Sequence, residues 1–194
     1  MQHQTPLYDR HRSAGARIVD FSGWAMPVHF GSQIDEHHAV RRAAGAFDVS
    51  HMNQVDITGD DAEAFLRYLC ANDIARRGDG GALYTCLLNE AGGVIDDGII
   101  YRFGPSQFRL VVNAATRDQD WAWLQQQAAD FAVELTERSD RAMIAIQGPA
   151  ARERVHGLLG AELAAAADGL KPFRAAVAGG WVVGRTGYTG EDGY

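Results

Sequence analysis

Two adjacent aspartates interrupt an otherwise apolar run, Val94-Ile95-Asp96-Asp97-Gly98-Ile99-Ile100-Tyr101, directly after the turn sequence Asn89-Glu90-Ala91-Gly92-Gly93. Strands disfavour Asp, because its short polar side chain competes for backbone hydrogen bonds and resists burial. Side chains alternate along a strand, so Asp97 shares a face with Ile95, Ile99 and Tyr101, while Asp96 shares the other with Val94, Gly98 and Ile100. A carboxylate on an apolar face is costly unless something satisfies it. Two kinds of partner would serve Asp97: an arginine, with Arg102 and Arg109 as candidates, or a bound ligand. Tyr84 lies on the arm that would pair with this strand, and Tyr101 follows on the same face. Aromatic and methionine side chains give apolar walls to a flat, heteroatom-rich molecule. A carboxylate between them accepts N–H groups or faces a developing positive charge.

Other chemistries find less support. The chain has no Gly-x-x-x-x-Gly-Lys phosphate loop, no Gly-x-Ser-x-Gly elbow and no His-Glu-x-x-His helix. His37 and His38 are adjacent and would point in different directions on a helix, a poor metal pair, so no metal site is expected. In Phe47-Asp48-Val49-Ser50-His51-Met52, Asp48 and Ser50 are suited to bonding the amides of a turn, which would expose His51 and Met52 at a strand entrance. A turn histidine beside a core methionine is the plainer reading of that segment. Cys70 and Cys86 lie in apolar settings without CxxC spacing and read as reduced, buried thiols.

The elements that would position these residues alternate in type. Gln33 to Ala44 reads as a helix with Ile34, His37, His38 and Val40 available for its inner side. Gln54 to Thr58 alternates like a strand, and Asp60-Asp61 then opens an amphipathic helix carrying Ala64, Phe65, Leu66, Leu69 and Cys70. Ala82 to Asn89 and Val94 to Phe103 form the arms of a hairpin, followed by a strand from Phe108 to Asn113. Thr116 is placed to cap a helix running through Trp121 and Leu124 to Phe131. Together these imply an α+β unit, a helix pair on one face of an antiparallel sheet. Beyond it come a strand from Ala142 to Gln147, a helix from Ala150 to Leu159, an alanine-rich stretch from Ala161 and a strand from Trp181 to Arg185. The last segment, Gly187 to Tyr194, is a glycine-spaced turn leaving a strand, so the chain reads as the N-terminal part of something longer.

Bulk properties bound the rest. With 194 residues, 46% hydrophobic and 22% charged, the chain has the composition of a globular protein able to bury one large core or two small ones. Eighteen Lys+Arg stand against 25 Asp+Glu, for a net charge of −7, and the only lysine is Lys171. That balance argues against nucleic acid as a partner. No stretch approaches the roughly 20 apolar residues of a membrane span, and the polar N-terminus lacks a signal-peptide core, so the cytoplasm is the expected compartment.

Five segments in order carry a resemblance: Asp20-Phe21-Ser22-Gly23-Trp24-Ala25-Met26-Pro27, Phe47 to Met52, Asn89 to Asp97, Ile146-Gln147-Gly148-Pro149, and Arg185-Thr186-Gly187-Tyr188-Thr189-Gly190-Glu191-Asp192-Gly193. Together the sequence resembles the aminomethyltransferases, the T-proteins of the glycine cleavage system. Folate-dependent demethylases and folate-binding regulatory or tRNA-modifying proteins share that scaffold and are the alternatives. The resemblance implies transfer of a methylene unit from an aminomethyl-lipoyl arm on H-protein to tetrahydrofolate, with release of ammonia. It implies that Asp97 is the catalytic, folate-facing aspartate, and that Met52, Tyr84, Ile99, Tyr101, Asn113 and Tyr188 line the folate cavity. It implies a three-lobed α+β architecture. Residues 1–53 plus 135–194 would form a discontinuous first lobe, residues 54–134 a ferredoxin-like insert, and a C-terminal barrel would be absent. Two positions depart from the family pattern: Asn53 stands in place of a usual Gly, and Gly98 in place of a large aliphatic residue. A pterin-clasping Glu, expected just beyond the last motif, and a later Arg are not in the chain.

Overall fold

The structure, a computed structural model, describes residues 2–194. Chain order begins with helix α1 (Tyr8–Ser13), strands β1 (Arg17–Phe21) and β2 (Trp24–His29), helix α2 (Gln33–Arg42) and strand β3 (Gly45–Asp48). Next come β4 (Asn53–Thr58), α3 (Ala62–Leu69), a 3-10 turn (Ile74–Arg76), β5 (Ala82–Leu88), β6 (Val94–Gly104), β7 (Gln107–Val112), α4 (Arg117–Ala128) and β8 (Glu134–Glu137). The remaining elements are β9 (Ile144–Gln147), α5 (Ala151–His156), α6 (Ala161–Asp168), β10 (Arg174–Ala178) and β11 (Trp181–Arg185). They fall into two units: Met1–His51 with Arg141–Pro172 and Ala176–Tyr194, and Met52–Asp140 with Phe173–Ala175.

The second unit is built on an antiparallel sheet of order β5-β6-β7-β4-β8. In α3, Ala62, Phe65, Leu66 and Leu69 recur at helical spacing and are all buried, so one stripe of the helix enters the core. They meet Leu124 of α4, Ile74 of the 3-10 turn, and Val55, Ile57, Leu87, Ile100, Phe108, Leu110 and Val112 of the sheet. One sheet face is thereby covered. The β5–β6 turn is fixed by Asn89, whose Oδ1 accepts from the amides of Ala91 at 3.0 Å and Gly93 at 2.8 Å. At Gly98, on the core side, a Cβ would fall 2.6 Å from the Val111 carbonyl oxygen and 3.2 Å from side-chain atoms of Leu110 and Val112. Lack of a side chain there lets β6 and β7 close up.

In the first unit, β1 pairs with β2 across Ser22-Gly23, both at positive φ, and β3 pairs with β9. A small core joins Leu163, Ala167 and Val183 with Leu159, Leu170, Ala178 and Tyr194.

Three local expectations are corrected. Helix α2 has no buried residue: Ile34 is 70% exposed, His37 and His38 are exposed, and Val40 alone of the expected inner set is half-buried. Its charged residues outnumber its apolar ones, which leaves no stripe to bury. Thr116 does not cap α4 through its side chain, because its hydroxyl donates to Asp96 instead. His51 is 8% exposed, packed edge-on against Phe21 at 5.7 Å and against Trp24 at 6.4 Å. It is therefore not exposed at the strand entrance, and burial keeps it below the usual imidazole range despite nearby Asp48. Among the described residues, no helix is long and apolar enough to cross a membrane.

Candidate functional site

Register places the site residues. Tyr84 pairs with Ile99, Cys86 with Asp97, Ile99 with Val111 and Tyr101 with Arg109. Alternation from these pairs sets Tyr84, Asp97, Ile99 and Tyr101 on the sheet face that α3 and α4 leave uncovered. Gly98 pairs with Val112, and Val112 with Asn53, so continuing both ladders by one residue sets Asp97 beside Asn113 and Asn113 beside Met52. Six of the seven expected site residues thus belong to the second unit. Tyr188 belongs to the first, in a loop held by the buried Gln147, whose Oε1 accepts from the Tyr188 amide at 3.0 Å.

On the uncovered face, the Tyr84 hydroxyl donates to Asp97 Oδ2 at 2.6 Å. Tyr84 sits directly opposite Ile99, so this is a diagonal cross-strand contact. The bond to Asp97 pushes the Tyr84 phenol up to about 12, since losing its proton would set two negative charges side by side.

Neither arginine candidate serves Asp97. Arg102 pairs with Glu63 and, at 3.2 Å, with Asp79. Arg109 makes a forked contact with Asp56, Nε to Oδ1 at 2.6 Å and Nη2 to Oδ2 at 3.0 Å. Arg138 adds a further bond to Asp56 and a fork to Asp140. Burial works against ionisation of Asp56, but hydrogen bonds from Arg109 and Arg138 outweigh it and hold that carboxyl below its ordinary range. This ion network closes one end of the face, beside Tyr101 stacked on Phe103 at 6.3 Å and 13°.

Asp96 points the other way. It is 9% exposed and takes three donors: Asn113 Nδ2 at 2.9 Å, the Thr116 hydroxyl at 2.8 Å and the Asn113 amide at 3.4 Å. Asn113 Nδ2 also reaches the Asp97 carbonyl at 3.3 Å. The sequence reading singled out Asp97 as the carboxylate needing a partner, yet its neighbour carries the heavier burial. The buried Asp120 behind Asp96 was missed altogether. A signal for it existed, because Thr116, Asp120 and Leu124 share one helical face at spacing four and Leu124 is a core residue.

The arrangement is a half-buried carboxylate on the sheet face turned away from α3 and α4, steadied by a phenol and flanked by Ile99 and a Tyr101–Phe103 stack. Chemically it suits a planar molecule that offers N–H groups to Asp97. Among the described residues, no three His, Cys, Asp or Glu side chains gather as a metal site would require.

A family profile described as the GCVT N-terminal domain matches residues 7–194. The chain belongs to this family. Among solved structures, the crystal structure of glycine cleavage system aminomethyltransferase T from Bartonella henselae is 35% identical, with a TM-score of 0.90 over 99% of this chain and 52% of that one. The chain therefore spans about half the length of that relative. The mixed α+β fold is that of the N-terminal portion of the relative, and among the described residues no sheet closes into a barrel. In this GCVT N-terminal domain, the doubled aspartate lies on β6, next to the edge strand β5 of the second unit's sheet, at the end nearest the β5–β6 turn.

Proposed function

We propose that the chain is the folate-facing part of an aminomethyltransferase, in which Asp97 receives the amines of tetrahydrofolate while a methylene unit passes from aminomethyl-lipoyl H-protein. The single observation that carries this reading is the state of Asp97: a half-buried aspartate on the sheet face turned away from α3 and α4, bonded to Tyr84 and bypassed by both neighbouring arginines. The residues present fit the group, since a carboxylate accepts amine N–H and the Ile99 and Tyr101 side chains provide the flat apolar wall that a ring system needs.

When bound, tetrahydrofolate supplies two nucleophilic amines that take up the methylene carbon. The balance closes: the aminomethyl C–S and C–N bonds break, two C–N bonds to the folate form, and the two amine protons leave on the lipoyl thiol and the ammonia. Asp97 orients one amine and stabilises positive charge there as the carbon transfers. Tyr84 holds the Asp97 carboxylate in one rotamer, and Asn113 holds the strand beneath it. Met52 is assigned to the cavity wall.

The reading is tested by mixing the protein with aminomethyl-loaded H-protein and tetrahydrofolate and measuring ammonia. Folate-dependent ammonia release, lost with Asp97→Asn, is expected. Folate affinity without any ammonia release would favour a folate-binding regulatory role, and ammonia release unaffected by Asp97→Asn would remove Asp97 from the centre of the chemistry.

A further inference from the structure

Behind the Asp97 face lies a second pair of carboxyl groups, on the helix side of the sheet. Asp120, in the first turn of α4, is 0% exposed, and its neighbour Asp96 is 9% exposed. Three donors converge on Asp96, whereas neither oxygen of Asp120 receives a well-formed hydrogen bond. Two facing carboxylates only accept and repel, and a single proton between them turns the repulsion into a hydrogen bond. Which member keeps that proton follows from their surroundings. Burial, then the hydrogen bond to Asp96 and its charge, push Asp120 up to about 7. Asp96 is also raised by burial, but its bonds to Asp120, Asn113 and Thr116 outweigh that and hold it below its ordinary range. The other groups facing Asp120 are the Thr116 hydroxyl and, more weakly, the charge of Asp97. The first cation of α4, Arg117, is bound to Glu137 at 3.0 Å, and Glu137 also takes Asn53 Nδ2 at 2.9 Å.

Asn113 connects this pair to the uncovered face. Its Nδ2 is shared between Asp96 Oδ1 at 2.9 Å and the Asp97 carbonyl at 3.3 Å. We propose that Asp120 is a positioning residue: as the neutral acid it donates its proton to Asp96, and Asp96, so held, fixes Asn113 and through it the backbone at Asp97. Asp120 itself touches no ligand. The role assigned to Asp97 rests on the folate reading given above, while the shared proton does not depend on it. Loss of that proton restores the repulsion between the two carboxylates, and Asn113 loses its fixed acceptor.

Carbon-13 and nitrogen-15 resonance titrations of the 194-residue chain, between about pH 5 and 9, test the pair directly. The Asp120 carboxyl is expected to titrate near 7, with the Asn113 side-chain amide moving at the same midpoint. In Asp96→Asn the Asp120 midpoint falls toward the ordinary carboxylate range, and in Asp120→Asn the Asn113 signals stay fixed with pH. An Asp120 that titrates near 4, or an Asn113 amide indifferent to the titration of Asp120, overturns the proposal. Tetrahydrofolate is the ligand probe. Affinity is expected to fall about tenfold from pH 6 to 8 in the unaltered chain and to stay level in Asp120→Asn, whose amide still donates to Asp96. Folate affinity level with pH in the unaltered chain would overturn the positioning role. A chain that binds no folate at any pH would count against the folate reading, and the resonance titration would still decide the shared proton.

Discussion

Asp97 and Asp96 are chemically identical side chains that one peptide bond sends to opposite environments. Alternation alone separates them, and that much was legible in Val94 to Tyr101 without any structure. What the sequence hid was which face is which. Both faces of that strand read as apolar, with Ile95, Ile99 and Tyr101 on one and Val94, Gly98 and Ile100 on the other. Only the placement of α3 and α4 makes Ile100 fully buried and leaves Ile99 half-covered. The arginine alternative failed for a similar reason: Arg102 and Arg109 are claimed by Glu63, Asp79 and Asp56, partners 23 to 53 residues away in the chain. Tyr84 was legible as an aromatic neighbour, but its diagonal reach to Asp97 depends on register. Its hydroxyl is expected to contribute by fixing the carboxylate, so Tyr84→Phe should weaken tetrahydrofolate binding by about tenfold at unchanged melting temperature. Titration calorimetry beside a thermal melt measures both, and equal affinity in the two proteins would deny Tyr84 that role.

Strong periodicity made α3 readable, since its four buried apolar residues share one stripe. The hairpin was readable because Asn89 to Gly93 supplies both an Asx bond and a glycine at φ +78. Elsewhere local signals misled. Helix α2 forms from Ser32, whose hydroxyl caps the Asp35 amide, and from favourable end charges rather than from any buried face. The β1–β2 hairpin went unread because its strands mix exposed Arg, Asp and Phe with buried Ala25 and Met26, so neither shows clean alternation. Gly98 is the element-scale position most open to test. A methyl group there meets the Val111 carbonyl at 2.6 Å, and the strands must part to admit it. Gly98→Ala is expected to cost about 1–3 kcal/mol in urea unfolding, with a further loss of folate affinity because Asp97 is its chain neighbour. An unchanged urea midpoint would show that β6 and β7 do not need the close approach. Phe65→Ala, which empties a fully buried site between α3 and the sheet, should cost more, about 3–5 kcal/mol.

Across the molecule, buried carboxyl groups set a pH profile with two sides. Asp48 and Asp56 are each raised by burial, but hydrogen bonds outweigh it and hold both below the ordinary range, so the stability they contribute is present above about pH 3.9 and is lost as pH falls through their folded values. Asp120 has the opposite sign. Its folded value is raised to about 7, so its contribution is complete below the unfolded value and is lost as pH rises toward 7. Melting temperature is therefore expected to peak on the acid side of neutrality and to fall from there to about pH 7. Asp120→Asn should flatten that fall, and a variant curve parallel to the unaltered one between pH 5 and 8 would contradict the assignment. Calorimetric titration of the 194-residue chain with tetrahydrofolate, unaltered and as Asp97→Asn, reads the contact between Asp97 and the ligand's amines. Removing a charged acceptor from the ligand's amines should weaken binding by about tenfold to a hundredfold while leaving the melting temperature in place. Equal affinity in the two proteins, or no binding by the unaltered chain, would contradict a folate site centred on Asp97.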